Sequence, residues 1–129
     1  MKLLSSAVFP RRSMTEWKKR LQVNRQRFSG MLGFAMRAGR VVIGFEQITA
    51  LLPKKNKIQL VIVSEDASEA TRKRLLSKTE FYGVKIIAAQ VPAEELGRLL
   101  GKSFAPVCVG ITDEGFAREL ILATDTANN

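Results

Sequence analysis

Gly44, Phe45, Glu46 and Gln47 follow closely on two arginines, Arg37 and Arg40, within the run GFAMRAGRVVIGFEQ at residues 33–47. These residue types suit the binding of an anion. The run reads as a helix stopping at Gly39, a very short apolar run, and a second helix starting just after Gly44. Glycine at 39 fits the left-handed residue that closes a helix. Gly44 lets the backbone approach something large where a new helix leaves its first N–H groups unpaired. With Arg37 and Arg40 expected beside that helix start, free donors and positive charge combine into an anion site. In so basic a chain, nucleic acid is the natural anion. Glu46 and Gln47 would present acceptors and an amide to base edges, with Arg40 and backbone N–H groups on phosphates.

Other candidate chemistry is weaker. The 129 residues contain no histidine, which removes the commonest general base and metal ligand and any Ser-His or Cys-His pair. No catalytic or metal residues are assigned, and no cofactor is expected. Gly97-Arg98-Leu99-Leu100-Gly101-Lys102-Ser103 imitates a phosphate-binding loop, but three residues separate its glycines instead of four. It also ends a helix, where phosphate is repelled, instead of opening one. The acidic pairs Glu65-Asp66 and Glu94-Glu95 stand at expected helix starts, where carboxylates complement the dipole. Glu65 is the exception to note, because it falls at the carboxyl end of a buried strand, where open α/β sheets place functional groups. Cys108, between Val107 and Val109, reads as a core residue. Lys54, Lys55 and Lys57 form a basic loop directly after the second helix, either solvated or extending the same anionic footprint. Arg72, Lys73 and Arg74 read as a solvated helix face.

The elements that must position these groups follow from periodicity. Trp17, Leu21, Phe28, Leu32 and Ala35 recur at helical spacing, so the helix ending at Gly39 can start well before Phe28. Residues 45–52 make a helix stopped by Pro53. LVIVS at 60–64 has the length and apolarity of a buried strand. Asp66 with Glu69, or Ser68, caps a helix to about Tyr82, closed by Gly83. VKIIAA at 84–89 is a strand, Pro92 starts the next helix, and PVCVGI at 106–111 is a further strand. Thr112 and Asp113 cap a last helix to about Ala123. This alternation predicts an α/β fold, a three-layer α/β/α sandwich around a small mixed sheet of about four strands.

Composition bounds the rest. The length allows one domain with a real core. No apolar run nears the ~20 residues of a membrane span, and a single cysteine favours a reducing, cytoplasmic setting. The net charge of +9 is concentrated at the start: residues 1–27 hold Lys2, Arg11, Arg12, Lys18, Lys19, Arg20, Arg25 and Arg27 against Glu16 alone. The remaining body is near neutral. Residues 1–27 are expected to be a basic arm, partly disordered or a helical extension, able to make salt-sensitive phosphate contacts. An arginine-rich targeting segment and an upstream-assigned start, with Met14 or Met31 as the true one, are the other readings of its first dozen residues. Residues 28–123 form the expected domain and 124–129 a frayed tail.

Four segments, GFAMRAGRVVIGFEQ, LVIVSEDAS, EELGRLLGK and GITDEGFAREL, closely resemble in order and spacing the bacterial YlxQ-type proteins. These belong to the ribosomal-protein superfamily named for archaeal L-seven-Ae, which recognises kink-turns in RNA. The resemblance covers about residues 28–122. It implies the same sandwich and non-catalytic RNA binding, with structured RNA, ribosomal RNA or the ribosome as partner. Neither a membrane nor a small-molecule substrate is expected, and the chain is expected to be a monomer. It also implies that Gly44, Phe45, Glu46 and Gln47 enter the widened groove at sheared G·A pairs, and that Glu65 makes a second contact. A third is implied for the loop at 103–106, where Phe104, Ala105 and Pro106 would pack on an extruded base. The chain departs from the stronger kink-turn binders at Phe45, where they carry threonine or a charge, and at Glu46-Gln47, often an asparagine-glutamate pair. Ala50 stands where they have a lysine. The alternative is a protein-interaction module of the same fold that has lost specific RNA contacts, with an exposed Phe45 as its contact.

Overall fold

The computed structural model describes residues 14–128, with side chains from 25 to 124. The readings of residues 1–13 as a tail, targeting segment or late start, and of Trp17 and Leu21 as helix-face residues, lie outside the described residues or side chains. The elements are α1 (Met14–Arg37), β1 (Val41–Ile43), α2 (Phe45–Leu51), β2 (Leu60–Val63), α3 (Glu69–Tyr82), β3 (Lys85–Ala88), α4 (Ala93–Leu99), β4 (Cys108–Ile111) and α5 (Glu114–Asn128). Their order is the one the periodicity implies, and the four strands form one mixed sheet in the order β1-β4-β2-β3. β2 and β3 are parallel, while β4 runs antiparallel to both β1 and β2.

Alternation along the strands divides the core. Leu60, Ile62, Val109 and Ile111 face Leu32 of α1, Leu96 of α4 and Leu120 of α5. Val61, Val63 and Cys108 face Ile48 of α2, Leu52 just past its end, and Leu75 of α3. Helices on both faces explain why β2 and β4 are apolar at every position and fully buried. Each buried aliphatic side chain contributes about 1.5–3 kcal/mol. Gly110 lets α2 sit down on the sheet, since a Cβ there would stand 3.2 Å from Ile58 Cδ1 and 3.3 Å from Ile48 Cγ1.

The helix ends follow capping chemistry. Gly39, at φ 73°, closes α1 as expected: its N–H donates to Met36 O and the Arg40 N–H to Ala35 O. Ser68, and not Asp66, caps α3, its Oγ accepting from the Thr71 N–H at 3.1 Å. Asp66 instead reaches 27 residues along the chain, where its Oδ1 accepts from the Ala93 N–H at 3.0 Å and from the Ser64 hydroxyl at 2.8 Å. Pro92 is therefore the residue before α4 and not its first member, which leaves the Ala93 N–H for Asp66 to take. Asp113 caps α5 through the Phe116 N–H, as its position implies.

At the N-terminal boundary the structure follows the helical-extension reading, and at the C-terminal one it differs from the expectation. α1 runs unbroken through residue 27, and Arg27 pairs with Glu119 of α5 at 3.3 Å, so the end of the basic arm is joined to the body. α5 continues past Ala123 to Asn128, with Thr124 buried and bonded to Leu120 O; the frayed tail expected from 124 is helical.

Candidate nucleic-acid interface

Strand direction decides which segments meet. β1, β2 and β3 point the same way, so Gly44, Ser64-Glu65 and Ala89 all lie at one end of the sheet, together with the residues entering β4. Backbone bonds stitch that end: Gly44 N–H donates to Cys108 O, Ser64 N–H to Val107 O, and Glu65 N–H to Val91 O. The Cys108 thiol is buried in the second core, and burial pushes its pKa up to about 11, so it holds the strand and does no chemistry.

Gly44 has φ 106° and ψ 148°, a conformation essentially closed to residues with a Cβ. That torsion turns the chain from β1 directly into α2, whose first internal bond is Ile48 N–H to Gly44 O at 3.1 Å. The N–H groups of Phe45, Glu46 and Gln47 therefore lack intrahelical partners and point off the sheet end. Glu46 and Gln47 are exposed. Phe45 is not the exposed ring expected of a protein-docking module: it is half-buried against the second core, with the Arg74 guanidinium 5.0 Å from its centroid.

Glu65 is exposed, and its carbonyl oxygen accepts from Arg72 Nη2 at 2.7 Å. Arg72 and Arg74 thus brace this end, where sequence had read a solvated face. Only the fold could reveal them, because nothing local distinguishes a bracing arginine from a solvated one. The loop before β4 crosses the same end. Phe104 is 55% exposed and Ala105 is exposed, but Pro106 is buried and unavailable for packing on a base. The loop is pressed on α4 at Gly97, where a Cβ would collide with the Phe104 carbonyl. Gly101 and Lys102 close α4 with bonds to Arg98 O and Gly97 O, so the imitation phosphate loop is a helix terminus.

The remaining candidates lie elsewhere. Arg40 precedes β1, and its carbonyl accepts from Thr112 just past β4, which places it at the opposite end of the sheet, about 13 Å of strand from Gly44. Arg37 ends α1 before it, its guanidinium 4.9 Å above the Phe34 ring. Lys54 follows the far end of α2, next to the chain entering β2. The expected placement of Arg37 and Arg40 beside the helix start is corrected, because β1 carries them away from it, and Lys54, read as either solvated or extending the same footprint, lies at the far end of α2. One end thus gathers Gly44 to Gln47, Glu65, Phe104 and Ala105, with Arg72 and Arg74. Among the described residues no group of three or more metal-ligating side chains occurs.

A sandwich with this strand order, carrying a bare helix start, a strand end and an exposed loop at one edge, defines a domain of the ribosomal-protein type. The chain belongs to the ribosomal protein L7Ae/L30e/S12e/Gadd45 family, whose pattern matches residues 26–121. It is 35% identical over 96 residues to the RNA-binding protein YlxQ of Enterococcus faecium, covering 74% of this chain and 89% of that one. It is 39% identical over 95 residues to the RNA-binding protein YlxQ of Bacillus subtilis (strain 168), covering 74% and 92%. A solved structure of a protein with unknown function from Bacillus halodurans C superposes with a TM-score of 0.71 at 33% identity, covering 77% of this chain and 97% of that one.

Proposed function

We propose that this chain is a non-catalytic RNA-binding protein that docks the start of α2 on structured RNA with a kinked or internal-loop geometry, of the kink-turn type. Ribosomal RNA, free or in the ribosome, is the proposed partner, the cytoplasm the compartment, and a monomer the working form. No helix of the described residues is long and apolar enough to cross a membrane. The observation that carries the reading is the meeting of Gly44 to Gln47, Glu65 and the Phe104 loop at one sheet end, on three separate parts of the chain. Similarity to proteins named for RNA binding supports the class of ligand.

In this reading the free N–H groups of Phe45, Glu46 and Gln47 face phosphate or base oxygens at the positive end of the helix. Gln47 and Glu46 read base edges, Phe104 meets an unstacked base, and Arg74 holds Phe45 as the floor. The test is binding of a kink-turn hairpin and of a plain duplex at physiological salt. The hairpin should bind more tightly, and Gln47→Ala should remove about 1–3 kcal/mol of that preference. Equal affinity for both RNAs would sink it.

A further inference from the structure

The opposite end of the sheet carries a cleft of ≈ 790 Å³ between the turn after α2, the turn before β3 and the first turns of α5. Its charged lining is Lys54, Lys55, Lys85 and Arg118 against the single carboxylate of Glu114. Glu114 is committed to Arg118, at 3.8 Å. Among the described residues, no carboxylate lies within 4.0 Å of Lys54, Lys55 or Lys85. Tyr82 stands in the wall, 40% exposed, and Phe81 beside it is 78% exposed, the rings edge to face at 4.8 Å.

Three uncompensated cations beside exposed aromatic rings match how single strands are held, with phosphates on the cations and bases on the rings. An acidic polypeptide would use the charge and leave the rings in water. A cleft of this volume has room for nucleotides of one strand. We propose that this cleft holds a single-stranded RNA segment, phosphates on Lys54, Lys55 and Lys85 and a base on Tyr82. The protein then grips RNA at both ends of its sheet, one end by shape and one by charge. The proposal rests on RNA as the partner, as argued above, but not on the α2 contact.

The test uses the full chain and a fluorescent uridine oligomer of about 12 nucleotides, with affinity measured between about 50 and 200 mM salt. The triple variant K54A/K55A/K85A should flatten the salt slope by about two units. Tyr82→Leu should weaken binding about tenfold with the slope unchanged, its fold checked by thermal melting. Unchanged affinity and slope in both the triple variant and Tyr82→Leu would overturn the proposal. So would competition by polyglutamate as effective as by unlabelled oligouridine. A wild-type chain that fails to prefer a kink-turn hairpin, yet loses oligouridine in the triple variant, defeats the α2 reading and supports this one.

Discussion

The Arg74 guanidinium lies over the Phe45 ring, 5.0 Å from its centroid, and ties the middle of α3 to the first residue of α2. Phe45 stands where stronger kink-turn binders are expected to carry a polar residue, so the ring needs cover if it is to remain beside a polar ligand. The pair supplies it. Removing the cation with Arg74→Ala should cost about 0.5–1 kcal/mol of stability, as for an exposed cation–π contact. RNA affinity should fall with it. Unchanged thermal melting and unchanged affinity would show the contact to be incidental.

Gly44 should resist substitution for a torsional and not a steric reason. A Cβ there would meet only Gln47 Cγ, at 4.0 Å, but φ 106° is closed to it. Gly44→Ala should therefore destabilise the fold by about 1–3 kcal/mol, and denaturant unfolding checks this. If the variant is as stable as the parent, the torsion is not what starts α2.

Gly97 presents the opposite case, where space and not torsion is the constraint. Gly97→Ala drives a methyl into the Phe104 carbonyl, and the expected cost is about 1–3 kcal/mol, as for overpacking. Because the loop carries Phe104, chemical shifts at 102–106 should move while those at α2 stay. Loss of stability without movement of the loop would mean that α4 yields instead.

Asp66 predicts a pH dependence. The hydroxyl of Ser64, then the Ala93 N–H, hold its carboxyl below the ordinary value of 3.8. A lowered folded pKa means the unfolded chain binds the proton more readily, so this contribution is complete above about pH 4 and is lost as pH falls through the folded value. Asp66→Asn should be less stable than the parent at neutral pH, and the gap should close in acid. Hydrogen exchange at the Ala93 amide reports the same clip. A gap that stays constant with pH would show that the charge has no part in it.

Adding charge should strengthen the proposed docking helix. Ala50 is exposed, one turn beyond Glu46, and Ala50→Lys should steepen the dependence of log affinity on log salt by about one unit. No change in slope would place that flank of α2 away from phosphate.

Much of this was legible locally. Gly39, Gly44, Gly83, Asp113 and the strands at 60–63 and 108–111 announce themselves through torsion, capping and apolar runs, which depend on near neighbours. The position of Arg40 was misread for the same reason: four residues before Gly44 looks adjacent, but an extended strand carries the two ends about 13 Å apart. Asp66 was read as a local cap and instead bonds 27 residues away. Pro106, which the resemblance implies would pack on an extruded base, is buried, and nothing beside it in the chain reveals that α4 lies beneath.

By itself, then, the sequence determined the elements, their order, the family pattern and the turn at Gly44, because hydrophobic period and backbone torsion act over a few residues. Only the tertiary structure decided which candidates share an end of the sheet. Strand direction is set by pairing between distant segments, and it is this that gathers Gln47, Glu65 and Phe104 at one end and leaves Arg40, Lys54 and Lys85 at the other.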